Sequence, residues 1–252
     1  MKNTMINVTK TYLPNKEKYI SYIDKIYDSG WVTNNGPMVR ELECRLAEYL
    51  GVKNIVLVAN GTIALEIAYR LLKLEGDVIT TPFSFVATTS SLVSNGLTPI
   101  FADINPATLN LDWNNIGSVI SDNVSAIVPV HVFGNACEVE QFDKIARKYN
   151  LKVIYDAAHA FASKLNGGSV LQHGDASILS LHATKLFHCV EGGAIIFKDK
   201  TAYDKAKQLI NFGFDNCKII KLINCDNVCL YFFSIKTNFY CITFFNDMII
   251  SY

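Results

Sequence analysis

The sequence predicts an α/β domain with a mainly parallel central sheet. Two observations carry this expectation. Short apolar runs recur between residues 54 and 197, separated by segments of helical length, the alternation that builds repeated βαβ units. The runs are also continuous rather than alternating, as in strands covered on both faces.

In chain order, residues 16–29 (KEKYISYIDKIYDS) place Ile20, Ile23, Ile26 and Tyr27 at helical spacing, and Gly30 supplies a stop. After a loop from Trp31 to Pro37, VRELECRLAEYL sets Leu42, Leu46, Tyr49 and Leu50 on one face and closes at Gly51. Strands are expected at 54–59, 77–81, 98–104, 125–132, 152–157, 176–181 and 193–197. Residues 63–74, 88–94 and 138–150 suit crossover helices. No Pro/Ser linker or fixed-period repeat divides residues 36–215, so one domain is expected there, preceded by a helix and loop at 1–35.

The segment 216–252 differs in kind. From Cys217 to Tyr252 there is no Gly, Pro, Ala, Glu or Arg, and its apolar residues keep neither helical nor strand periodicity. A frameshifted or foreign tail is expected, with a separate small domain as the alternative. Cys225 and Cys229 lack further ligands to complete a metal site, so no metal is expected.

Composition narrows the function classes. The chain has 252 residues, 50% of them hydrophobic and 18% charged, which excludes general disorder. Lys plus Arg and Asp plus Glu each number 23, so no net field draws the chain to nucleic acid or to an anionic membrane. No uninterrupted apolar run of about eighteen residues is present, and residues 1–12 lack a signal-peptide core. The seven cysteines include no CxxC pair, which fits neither a secreted disulfide framework nor a zinc ribbon. A cytoplasmic protein, bound to neither membrane nor nucleic acid, is expected.

Three places can carry chemistry. Lys185 follows an apolar strand, where open α/β sheets place their ligands. It is either a solvated charge or an amine whose proton a desolvating pocket removes, ready to form a Schiff base. Asp156 ends the run KVIYD; it is either an N-cap for the next turn or the carboxylate that keeps a pyridinium nitrogen protonated. His159 shares its turn. The Asn60-Gly61-Thr62 turn joins a strand to a helix and so offers N–H groups to an anion. Neither GxGxxG nor GxxxxGK[ST] is present, which argues against NAD and ATP.

Together, NGT at 60–62, TPFSFVAT at 81–88, FADI at 101–104, PVHVFGN at 129–135, YDAAHA at 155–160 and SLHATK at 180–185 resemble, in order and spacing, the DegT/DnrJ/EryC1/StrS family. The resemblance runs from about Trp31 to Phe214. It implies the aspartate-aminotransferase type of fold (fold type I), pyridoxal 5'-phosphate as cofactor and a nucleotide-linked keto sugar as substrate. It further implies glutamate as the amino donor, and a homodimer. Within the family the sequence is most similar to enzymes that aminate C4 of dTDP-4-keto-6-deoxyglucose.

Residue by residue, the resemblance makes Lys185 the Schiff-base lysine and proton carrier, and Asp156 the partner of the pyridinium nitrogen. Phe85 matches the aromatic that stacks on the ring; its alternative is an ordinary core phenylalanine. Gly61, Thr62 and Ser180 would hold the phosphate, and His159 would pack beside Asp156. Trp31 and Thr33 resemble the family's substrate-side loop, with plain loop packing as the alternative. Family members continue into a small C-terminal domain that residues 216–252 do not match, so a truncated product with impaired catalysis is the second expectation.

Overall fold

The computed structural model describes residues 9–215 and 218–219. The expectation for 216–252 lies outside the described residues, apart from the two residues at 218–219.

Two helices come first, α1 (Lys16–Ser29) and α2 (Pro37–Leu50). Asn15 caps α1 by accepting the Lys18 N–H. Both helices end where Gly30 and Gly51 adopt left-handed φ of 63° and 65°, a conformation that costs a residue with a Cβ. Then follow β1 (Ile55–Val58), α3 (Gly61–Leu71), β2 (Asp77–Thr80), α4 (Val86–Ser94), β3 (Thr98–Phe101), a single turn α5 (Trp113–Ile116) and β4 (Val124–Ile127). The second half holds α6 (Val139–Tyr149), β5 (Lys152–Asp156), a small hairpin of β6 (Lys164–Leu165) and β7 (Gly168–Ser169), β8 (Ala176–Ser180), β9 (Gly193–Phe197) and α7 (Lys200–Leu209). Short strands β10 (Phe214–Asp215) and β11 (Lys218–Ile219) pair with each other.

The main sheet has seven strands in the order β1-β9-β8-β5-β4-β2-β3. β3, β2, β4, β5 and β8 pair in parallel, whereas β9 is antiparallel to both its neighbours. β1 therefore points the same way as β8, and the mainly parallel expectation holds.

The continuity of the apolar runs has a direct cause. Ile55 and Leu57 of β1 pack with Leu42, Leu46 and Leu50 of α2, while Val56 and Val58 pack on the other face with α3 and α7. Both faces of the strand are core, so every position must be apolar. A third cluster joins α6 to β2, β4 and β5 through Val139, Phe142, Ile79, Ile127 and Val153.

The fourth strand stops at Ile127 rather than continuing to residue 132. Pro129 has no N–H to donate to a ladder. Its carbonyl still accepts the Asp156 N–H at 2.9 Å, and the chain then turns at His131.

One buried ion pair fastens the outer helices to the sheet edge. Glu43 of α2 accepts from Lys207 of α7 at 2.8 Å and from the Leu57 N–H of β1 at 3.0 Å. Removing the lysine would strand a nearly buried carboxylate. Lys207→Met is expected to cost about 1–3 kcal/mol, part of the full penalty because the lysine keeps some contact with water. Urea unfolding measures this, and an unchanged midpoint would contradict it.

His131 gives the fold an acid sensitivity. Its ring is stacked on Tyr155 with centroids 4.6 Å apart, and its Nδ1 accepts the Cys137 N–H at 3.0 Å. The neutral ring thus carries its proton on Nε2, which is buried without a hydrogen-bond partner among the described residues. Burial, helped by repulsion from His173, lowers its pKa from 6.5 to about 4. The unfolded chain takes up a proton below pH 6.5 that the native state refuses. Stability is therefore expected to fall as pH drops from 6.5 to about 4, with no further loss from this group below that. A pH series of unfolding midpoints should show this slope, and His131→Gln should flatten it.

Candidate active site

Strands that run the same way deliver their carboxyl ends to one edge of the sheet, and the connections leaving β1, β2, β5 and β8 meet there. Each brings a predicted residue: Gly61 and Thr62 after β1, Phe85 after β2, Asp156 at the end of β5, and Ser180 with Lys185 from β8.

The turn after β1 is shaped for an anion. Asn60 caps α3 by accepting the Ile63 N–H at 2.8 Å, and its carbonyl accepts the Ala64 N–H. The Gly61 and Thr62 N–H groups remain without a protein acceptor among the described residues. They sit at the positive end of the helix dipole. Two glycines allow the close approach. A Cβ on Gly193 of β9 would run into the Asn60 carbonyl group, and one on Gly61 would lie 3.3 Å from the Ser180 Cβ. Ser180 is thus packed against the turn, with its hydroxyl accepting the His182 N–H at 3.4 Å.

Asp156 is 6% exposed. Its Oδ2 accepts from the Thr88 hydroxyl at 2.7 Å and its Oδ1 from the Ala158 N–H at 3.1 Å. The second bond is the local turn contact that one sequence reading anticipated. The first comes from α4, a distant part of the chain. Among the described residues no Lys or Arg makes an ion pair with this carboxylate.

Lys185 is half-buried. Desolvation lowers its pKa, while the Asp156 charge pulls in the opposite direction. His159 is also pushed below its ordinary range, first by desolvation and then by the Lys185 charge, with Asp156 opposing. The three groups therefore share one electrostatic neighbourhood. His159 in addition stacks on Phe133 with centroids 6.1 Å apart.

The loop bearing Lys185 is braced by His182. The Thr184 N–H donates to His182 Nδ1 at 3.2 Å, the Lys185 N–H to the His182 carbonyl at 2.9 Å, and His182 Nε2 faces Glu191 at 3.4 Å. An imidazole that receives at Nδ1 carries its proton at Nε2, facing the carboxylate.

Phe85 is 72% exposed and stands as the N-cap residue of α4. An ordinary core position is ruled out by that exposure. Trp31 and Thr33 are held differently: the Trp31 indole donates to the Asn34 carbonyl at 3.3 Å, and Asn34 bonds Asn211 beyond α7 at 2.8 Å. These hydrogen bonds tie the loop to α7 rather than to Asp156 and Lys185.

Sequence reasoning gave no role to the side chains of Asn60, Thr88 and Phe133. All three lie inside motifs it singled out, and Thr88 stands three residues after Phe85. Phe133 adopts a left-handed φ of 53°, which no sequence pattern announces for an aromatic residue.

Residues 14–224 match the DegT/DnrJ/EryC1/StrS aminotransferase family. A dTDP-4-amino-4,6-dideoxy-D-glucose transaminase of Shigella dysenteriae is 53% identical over 209 residues, covering 83% of this chain and 57% of that protein. A transaminase of the same name from Escherichia coli is 45% identical over 214 residues, covering 84% of this chain and 58% of its own. Among solved structures, DesI with its TDP-sugar product superposes with a TM-score of 0.81 at 36% identity, covering 84% of this chain and 54% of DesI. Helicobacter pylori PseC, an aminotransferase of pseudoaminic acid biosynthesis, gives 0.78 at 30% identity, covering 85% and 59%. The chain thus spans little more than half the length of the curated relatives it matches. Its fold is that of these aminotransferases, and it belongs to the DegT/DnrJ/EryC1/StrS aminotransferase family.

Proposed function

We propose that this chain carries the cofactor-binding part of a pyridoxal-phosphate-dependent aminotransferase that aminates a nucleotide-linked keto-deoxysugar. The observation that carries the reading is the convergence, at one sheet edge, of an anion-binding turn, a buried carboxylate and a half-buried lysine. These features fit pyridoxal phosphate. The unpaired Gly61 and Thr62 N–H groups beside Ser180 suit its phosphate, and Asp156, held by neutral donors, suits a protonated ring nitrogen. Phe85 offers an exposed aromatic face to the ring, and His159 flanks Asp156.

When bound, pyridoxal phosphate supplies an electron sink for negative charge at the substrate carbon. The chain's residues do the rest. Asp156 would keep the ring nitrogen protonated, and the phosphate turn would fix the ring's position. Lys185 would hold the cofactor through its aldehyde group and, as a free amine, would hold and move the proton at the substrate carbon. Desolvation favours the neutral amine that both tasks require.

The names of the relatives support dTDP-4-keto-6-deoxyglucose as the acceptor and C4 as the carbon aminated. A spore coat polysaccharide biosynthesis protein of Bacillus subtilis, 34% identical over 199 residues, supports a role in making polysaccharide, including lipopolysaccharide or another glycan. Glutamate is the proposed amino donor. Residues 36–215 form the cofactor-binding unit in this reading, with 1–35 as a preceding helix and substrate-side loop that includes Trp31 and Thr33. A homodimer is supported by exposed Phe83, Phe133 and Leu186 on loops and Val86 at the start of α4. Among the described residues no helix is long and apolar enough to cross a membrane, and a cytoplasmic location completes the proposal.

Borohydride treatment of the chain with pyridoxal phosphate, followed by peptide mass mapping, is expected to tag Lys185. A tag elsewhere on folded protein, or none, refutes the assignment. Lys185→Ala is expected to lower amine formation on dTDP-4-keto-6-deoxyglucose with glutamate by at least about a hundredfold. Asp156→Asn should retain the cofactor and lose most of the rate, because an amide supports a charged ring nitrogen poorly. Near wild-type turnover in that variant would sink the Asp156 role.

A further inference from the structure

A carboxylate with 6% exposure and no ion pair among the described residues needs fixed donors in place of water. Asp156 has two such donors, and they differ in kind. The Ala158 N–H belongs to the turn that follows the strand and comes with the local backbone. The Thr88 hydroxyl reaches in from α4, 68 residues away in sequence, at 2.7 Å. That short bond to a charged acceptor is the stronger type.

Thr88 is itself tightly placed. It is fully buried, its N–H bonds the Phe85 carbonyl at 3.1 Å, and its carbonyl accepts from the Ser91 hydroxyl at 3.2 Å. Ser91 in turn reaches the buried Tyr69 hydroxyl of α3 at 3.5 Å. A polar chain thus runs from α3 through α4 to the end of β5. The charged or titratable groups felt around Asp156 are Lys185 from the loop after β8, His159 from its own turn, and Tyr69.

We propose that Thr88 is a positioning residue: its hydroxyl orients the Asp156 carboxylate toward the cofactor's ring nitrogen. In doing so it fixes Phe85, one turn earlier on the same helix start, relative to that carboxylate. This rests on the reading of Asp156 as the ring-nitrogen partner. Each carboxylate oxygen is engaged by one chain donor, so acceptor capacity is left for an N–H of the ring. Without the hydroxyl, Oδ2 is free to rotate away from the position that faces the ring nitrogen.

The test compares equilibrium affinities of the full chain for pyridoxal 5'-phosphate and for its 1-deaza analogue, in which a C–H replaces the ring nitrogen. The wild-type chain should prefer pyridoxal phosphate. Thr88→Val, close to isosteric, should lose about tenfold of that preference, the scale of one hydrogen bond to a charged group, with little change toward the analogue. Thr88→Ser should restore it. Thr88→Ala makes the same comparison if the valine does not pack. Equal weakening toward both ligands would mean a packing role only and overturn the proposal, as would a wild-type preference in the valine or alanine variant. A wild-type chain with no preference would instead refute the Asp156 assignment, and the Thr88 role with it.

Discussion

Six strands that point the same way leave their carboxyl ends along one edge of the sheet, and the site exists because of that shared polarity. The geometry requires a strand with a parallel successor to be followed by a connection that returns the chain to the opposite edge. Those leaving β1, β2 and β5 begin at the site, and the loop from β8 to the antiparallel β9 lies there too. A strand-end carboxylate, a strand-end lysine loop and a capped helix start can then meet although 61, 156 and 185 are far apart in sequence. The two-sided core makes the arrangement rigid, since neither face of β1, β5 or β8 is free to move independently of a helix layer.

Electrostatics at this edge are balanced rather than saturated. Asp156 draws on neutral donors, and Lys185 and His159 are each pulled up by that carboxylate and pushed down by desolvation. A direct Asp156–Lys185 ion pair would satisfy both charges and leave neither available. The Thr88 and Ala158 donors make such a pair unnecessary. His131, on the far side of the same chain crossing, is handled in the opposite way: it is buried neutral, and Tyr155 covers its ring.

Much of this was legible in the sequence. All seven sheet strands and the helices α1, α2, α3, α4 and α6 fall within or beside the segments indicated, the inner strands because a two-sided sheet writes an unbroken apolar pattern, whereas the edge strand β3 is partly exposed and ends at Phe101. Helix α7 was not, since its core contacts come from Ala202 and Ala206, too small to stand out from an otherwise charged segment. The fourth strand was overextended because apolar character survives past Pro129 while ladder donors do not. At the site, motif spacing grouped Gly61, Thr62, Phe85, Asp156, Ser180 and Lys185 on connections that do meet. The Thr88–Asp156 bond was invisible, for a hydroxyl's partner 68 residues away depends on how α4 lies across the sheet. Trp31 and Thr33 show the reverse: a motif identified the loop, and the hydrogen bonds attach it to α7.

The antiparallel strand β9 has a bearing on how the protein is made. Among the described residues β1 pairs with no strand but β9, and β9 connects it to β8. The Gly61 turn is therefore held against Ser180 in the folded sheet only once residues 193–197 have been made and lie between the two strands. During synthesis the first strand must wait while more than a hundred residues emerge, its apolar edge uncovered. The phosphate end of the pocket is then among the last parts to form. Capture of a phosphorylated ligand by a growing chain would have to follow, not guide, closure of the sheet.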